Sequence, residues 1–133
     1  QQCAVISCLV NELSFNLELV ICPTQREEDG LAMSSRNRNL SPEQRAIAPF
    51  LYQALNNAKA GLLQDKAVSV VKSELADFLK TIEGIELEYF EVSDFDTLQP
   101  FNGTLSQNSE GGKIALCIAA FLGKTRLIDN III

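Results

Sequence analysis

The nine residues Ile114-Ala-Leu-Cys-Ile-Ala-Ala-Phe-Leu122 are apolar at every position. The run is far short of the roughly 18 residues that a membrane-spanning helix needs. Its length fits a strand, and the absence of any alternation predicts one buried on both faces over Lys113–Leu122. Gly123-Lys-Thr-Arg126 is a tight connection, and Leu127–Ile133 reads as a returning last strand. Upstream, Ile85–Val92 reads as a third strand, with Leu87 and Tyr89 on one face and Phe90 and Val92 on the other. Short connections favour antiparallel pairing of these strands.

Two helices are expected before the sheet. Ser41-Pro-Glu-Gln44 is a strong helix start, with Ser at the cap, Pro in the first turn and Gln placed for a capping box. This helix should run to about Ala60, with Gly61 near its end. Ile47, Phe50, Leu51, Ala54, Leu55 and Ala58 form its apolar stripe. Pro49 lies inside it and removes the bond to the carbonyl of Arg45, which predicts a kink in the early turns. Asp65 or Lys66 opens the second helix, lined by Val68, Val71, Leu75, Phe78, Leu79 and Ile82. Gly84 suits a left-handed position after it. The reading is thus an α+β unit of two helices on one face of a small three-stranded antiparallel sheet. Residues 102–112, rich in Asn, Ser and Gly, read as a mobile loop.

The front of the chain reads differently. Val5, Ile6, Leu9, Val10 and Leu13 have helical spacing and predict one buried stripe. Leu17–Cys22, ended by Pro23, reads as a strand. A helix followed by a buried strand is half of a βαβ unit, so residues 1–24 are assigned to the end of a Rossmann-like α/β domain. Residues 25–133 are assigned to a second, C-terminal unit. Gln1-Gln2 enters helical spacing with no cap before it, so the chain looks cut from something longer. No basic segment precedes an apolar stretch, so no signal peptide is expected.

Net charge is −6, which argues against nucleic-acid binding, since neutralising phosphates requires a basic surface. No membrane association is expected. Basic residues concentrate once, at Arg26, Arg36, Arg38 and Arg45, whereas 65–96 holds nine acids against three lysines. An anion is expected at the arginine end. Cys3, Cys8, Cys22 and Cys117 show no CxxC spacing and His is absent, so no metal site is expected. All four cysteines lie in apolar segments and read as buried reduced thiols of a cytoplasmic protein. Lack of His also removes the commonest general base.

The chemistry therefore points to Arg26-Glu-Glu-Asp-Gly-Leu-Ala-Met-Ser-Ser-Arg-Asn37. One Gly, two adjacent hydroxyls, an Asn and two arginines can make a turn that presents N–H groups and hydroxyls to an anion. Arg26 and Arg36 flank it as bidentate phosphate donors. The simpler reading is a surface loop ending at a helix cap. Glu27, Glu28 and Asp29 read as solvated acids, and Arg38 and Arg45 as solvated or structural. Arg126 and Asp129, three apart, read as an ion pair.

The stretch from Arg26 through Arg45, ending Asn-Leu-Ser-Pro-Glu-Gln-Arg, resembles the signature region of the pantothenate synthetase (pantoate–β-alanine ligase) family. So does Leu122-Gly-Lys-Thr-Arg-Leu-Ile-Asp-Asn130. Gln1-Gln2 resembles the end of that family's Gly-Glu-Lys-Asp-x-Gln-Gln motif. The similarity runs through the whole chain in matching order and spacing. It implies an ATP-dependent condensation of pantoate with β-alanine through a pantoyl adenylate, releasing pyrophosphate and AMP, with magnesium accompanying the nucleotide. It also implies a Rossmann-like domain followed by a C-terminal lid, and a homodimer formed through the first domain. Met33-Ser-Ser-Arg36 would be the counterpart of the Lys-Met-Ser-Lys-Ser loop of related nucleotidyltransferases and class I aminoacyl-tRNA synthetases.

Carried over by position, the resemblance gives Gln2 a hydrogen bond to pantoate. It gives Gln25 and Met33 backbone contacts to adenine, and gives Ser34, Ser35 and Arg36 the ATP phosphates. Ser35 and Arg36 would stabilise charge growing on the α-phosphate and pyrophosphate. The family's His-containing motif, most of its magnesium contacts and its Gly-Glu-Lys-Asp segment would precede Gln1. The chain alone is therefore expected to lack ligase activity. Two other readings remain: an interaction module that kept the lid fold, and another adenylate-forming nucleotidyltransferase with the same loop.

Overall fold

In the computed structural model, which describes residues 1–108 and 111–133, the apolar run is the middle strand of a three-stranded antiparallel sheet. Ser109 and Glu110, within the loop expected over 102–112, lie outside the described residues. The strands are β1 (Ile85–Asp94), β2 (Ile114–Leu122) and β3 (Thr125–Ile132), in that spatial order. Leu122 pairs with Thr125, so the β2–β3 turn is Gly123-Lys124, with Gly123 at φ +60°. Ile114, Leu116, Ile118, Ala120 and Leu122 face the helices, all within the main core.

One strand departs from its expected pattern. The β1–β2 register shifts between Leu87 and Tyr89: Leu87 pairs with Ala120 and Tyr89 with Ala119. Glu88 is the extra residue of a β-bulge, and the bulge inverts the alternation beyond it. Leu87 therefore shares the helix-facing side with Phe90 and Val92 instead of sharing a face with Tyr89, which is exposed.

The helical layer is α2 (Pro42–Ile47), α3 (Phe50–Leu63) and α4 (Val68–Lys80). The capping box forms as expected: Gln44 N–H donates to Ser41 Oγ at 3.3 Å, and Ser41 N–H donates to Gln44 Oε1 at 2.9 Å. Pro49 does more than kink the helix. It separates α2 from α3 and stands at the α3 N-cap, and α3 continues to Leu63, beyond the expected end. Leu51, Ala54, Leu55, Ala58 and Leu62 make the buried stripe. Helix α4 starts at Val68, later than expected, because Asp65 adopts φ +62° and turns its carboxylate onto Ser106. Gly84 has φ +95°, but it lies beyond a short turn and not directly after the helix.

The front of the chain requires two corrections. Helix α1 (Gln2–Glu12) forms, but its inward side is Ala4 with half-buried Ser7 and Val10. Val5, Ile6, Leu9 and Leu13 are exposed instead of buried. Residues Leu17–Cys22 form no strand and are exposed. A strand needs a neighbour for its N–H and C=O groups, and among the described residues the sheet pairs with itself and, at one bridge between Ser93 and Pro100, with a later loop, not with Leu17–Cys22. The same lack of cover leaves Cys3, Cys8 and Cys22 exposed, and only Cys117, in β2, is partly buried. Burial raises the Cys117 thiol above its ordinary pKa.

Candidate functional site: the Arg26–Asn37 loop

The loop folds back on itself before it reaches the helices. Arg26 and Ala32 form an isolated antiparallel bridge, and Met33 N–H donates to the Gln25 carbonyl at 2.9 Å. Gly30 closes the tip at φ +91°, with its N–H on the Glu27 carbonyl at 2.9 Å. A Cβ at Gly30 would stand 2.5 Å from Tyr52 Cδ1, so a side chain is refused on both counts. Asp29 accepts from Leu31 N–H and pairs with Arg45. The Arg45 bond holds the Asp29 carboxyl below the usual carboxylate range. Of the two roles the sequence allows Arg45, solvated or structural, it takes the structural one.

After Met33 the chain enters a single 3₁₀ turn, Ser35–Asn39, with Ser34 at its N-cap. Ser34 Oγ accepts the Arg36 N–H at 3.2 Å. Asn37 Nδ2 donates to the Ala32 carbonyl at 3.0 Å and ties the turn to the bridge. Its buried Oδ1 has no partner among the described residues. Leu31, Met33, Ser34, Arg36 and Asn37 line a cleft of about 220 Å³ against β3 residues 126–130. The Arg36 side chain is exposed, and among the described residues it enters no ion pair. Met33 is 57% exposed at the same mouth.

Arg26 is not available to an anion, contrary to expectation. Its Nη1 and Nη2 donate to Asp129 Oδ2 at 2.7 Å and Oδ1 at 3.0 Å. The same guanidinium donates to the carbonyls of Gly30 and Asn130 at 3.0 and 3.1 Å and stacks 3.8 Å from the Tyr52 ring centroid. Both terminal nitrogens are thus taken up by protein acceptors, and Tyr52 stacks on the guanidinium. Arg126 and Asp129 do not pair either, because residues three apart in a strand point to opposite faces. Arg126 Nε donates to Glu88 at 2.6 Å on the outer face, beside the bulge. Asp129 faces the helices and is 7% exposed. Its partner Arg26 went unread in the sequence, but a signal existed. Asp129 falls in phase with Leu127 and Ile131, and an acid at an inward position calls for a buried cation.

The structure thus gathers Met33, Ser34 and Arg36 at one cleft, with Ser35 exposed in the same turn and Gln25 at its root. Gln2 is exposed on α1 and is not part of that lining. Gln1 and Ala4 border a second cleft, about 540 Å³, over the outer sheet face with Tyr89, Cys117 and Ile132. Asn130 borders both clefts. Among the described residues no three His, Cys, Asp or Glu side chains converge as metal ligands. No helix among the described residues is long and apolar enough to cross a membrane.

Comparison with known proteins agrees with the motifs. The family model described as pantoate-beta-alanine ligase matches residues 1–132. Pantothenate synthetase of Cytophaga hutchinsonii is 43% identical over all of this chain and 46% of its own length. The bifunctional pantoate ligase/cytidylate kinase of a Synechocystis strain is 40% identical over all of this chain and 26% of its own length. The crystal structure of pantothenate synthetase from Thermus thermophilus superposes with a TM-score of 0.83 at 35% identity, covering 98% of this chain and 45% of that one. A Francisella tularensis pantoate-beta-alanine ligase complexed with beta-gamma ATP and beta-alanine matches at TM-score 0.54 and 26% identity, over 96% of this chain and 38% of that one. The chain spans about half the length of the pantothenate synthetases it matches. With a family match across nearly every residue, the chain belongs to the pantoate–β-alanine ligase family.

Proposed function

We propose that this chain supplies the phosphate-gripping wall of an ATP-dependent ligase that joins pantoate to β-alanine. The observation that carries the reading is the exposed Arg36 side chain, in no ion pair among the described residues, next to Ser34 and Ser35 at the mouth of the loop cleft. In this reading a pantoate carboxylate oxygen attacks the α-phosphorus of ATP, and the bond to the pyrophosphate oxygen breaks. The β-alanine amine then attacks the acyl carbon of pantoyl adenylate, loses a proton and expels AMP. Negative charge grows on the α-phosphate and on departing pyrophosphate in the first step. The Arg36 guanidinium and the Ser35 hydroxyl donate there, already oriented by the 3₁₀ turn. Ser34 holds the turn through its bond to Arg36 N–H and leaves its own proton for a phosphate oxygen.

The backbones of Gln25 and Met33 serve adenine. Their mutual bond uses the Gln25 carbonyl and the Met33 N–H, which leaves the Gln25 N–H and the Met33 carbonyl to meet the base. Gln2 is assigned to pantoate from the resemblance, on a helix face that must be covered by the rest of the site. Magnesium would accompany ATP, but the described residues offer no converging acids to hold it. The division into residues 1–24 and a lid from residue 25 belongs to the same reading, supported by the exposed apolar side of α1. So does a homodimer formed outside the matched portion. A cytoplasmic location accords with four free thiols.

The reading is tested by pyrophosphate exchange. The full-length protein with ATP, pantoate and labelled pyrophosphate, but no β-alanine, is expected to return label to ATP. Exchange without pantoate would mean a different adenylate-forming enzyme. The 133-residue chain alone, as one wall of the site, is expected to show none.

A further inference from the structure

The Arg26 side chain joins two parts of the fold that are 103 residues apart. One end is the root of the loop that carries Ser34–Arg36. The other is Asp129 in the last strand, whose side chain is 4% exposed. The pairing is bidentate, so it fixes orientation as well as distance. Tyr52 on α3 stacks on the guanidinium and blocks sideways movement. The Gly30 carbonyl takes a further bond, so the loop tip is held by the same group. Asn130, whose carbonyl also accepts from Arg26, borders the cleft.

We propose that Arg26 is a positioning residue. Forked onto Asp129 and stacked on Tyr52, it ties the root of the phosphate loop to β3 and sets where Ser34, Ser35 and Arg36 stand. It touches no substrate; it acts through the loop. Apart from this latch, the bonds that hold the turn are made within the loop itself, as between Met33 and Gln25 or Asn37 and Ala32. They shape the loop, and Leu31 seats its tip in the main core, but apolar contact fixes orientation less than a two-point charged fork does. The Asp29–Arg45 pair does reach α2, but it is exposed, and exposed pairs hold geometry weakly.

The proposal rests on the phosphate role given above, so its test has one arm that needs no catalysis. Arg26→Lys keeps the charge opposite Asp129 but loses the fork and the planar stack. In the full-length protein, amide exchange over residues 31–37 should quicken in this variant while β2 amides stay protected. Mispositioning on the ångström scale should lower kcat/KM for ATP by about 10²-fold. The KM for β-alanine should stay within about twofold. A second variant guards against loss of folding: R26M/D129L removes both charges together and leaves no buried ion alone. It should fold and show the same faster exchange. Unchanged exchange over 31–37 in both variants would overturn the latch. So would a fall in every kinetic constant in step with loss of β2 protection, which would mark a structural role only. If the wild-type protein showed no pantoate-dependent turnover, the function reading would fail, while the exchange arm would still decide the latch.

Discussion

Arg36→Ala in the full-length protein is expected to lose about 3 kcal/mol of transition-state stabilisation, or roughly 10²-fold in kcat/KM for ATP. The size follows from the role proposed for it. A guanidinium aimed at charge that develops only during pyrophosphate departure helps the transition state more than bound ATP, so kcat should fall together with kcat/KM. Folding should be untouched. Arg36 is exposed and in no ion pair among the described residues, and surface changes of that kind stay within about 0.5 kcal/mol. Arg36→Lys should recover only part of the loss, since an ammonium cannot make the planar two-point contact. The check is steady-state AMP release beside a melting curve. A variant with normal kcat would remove Arg36 from the chemistry.

The largest stability effect is expected inside the sheet. Ile118→Ala should destabilise the fold by about 2–5 kcal/mol, because it removes a fully buried side chain and leaves a cavity. Ile118 stands mid-strand in β2, paired with Phe90 on one side and Asp129 on the other. It faces the helices together with Leu116 and Ala120. The neighbouring strands are fixed in register, so the hole cannot close cheaply. Ile128→Ala is the matched control: the same change in β3, at a side chain 53% exposed, should cost within about 0.5 kcal/mol. Urea denaturation of the two variants separates them. Equal midpoints would mean that the helix-facing side of the sheet is not the core.

The sheet and its two main helices were legible because their apolar patterns are satisfied within this chain. The nine-residue run, the stripe Leu51–Ala54–Leu55–Ala58 and the Ser41 cap find most of their partners among residues 40–133, with Leu31 added to the core. The front of the chain was less legible for the opposite reason. Val5, Leu9 and Leu17–Cys22 carry the patterns of buried elements, but nothing described covers them. Pattern alone says that a face wants cover, not where the cover is. The Leu87–Tyr89 face was misread because a bulge adds one residue without any sequence mark as strong as a Gly or Pro.

At the site, the turn was legible from its residue types and the charge partners were not. Ser34, Ser35 and Arg36 sit where adjacent hydroxyls and an exposed arginine would serve an anion. Arg26 looked equivalent to Arg36 in sequence. What separates them is a carboxylate 103 residues away: the inward phase of Asp129 says that a cation is wanted there, but no local spacing says which arginine supplies it.

The most direct measurement is AMP release by the full-length protein with ATP and magnesium, omitting pantoate and β-alanine in turn. Release that requires both substrates is the expected result. Release indifferent to pantoate would contradict the substrate assignment, and no release under any combination would leave a lid fold without catalysis.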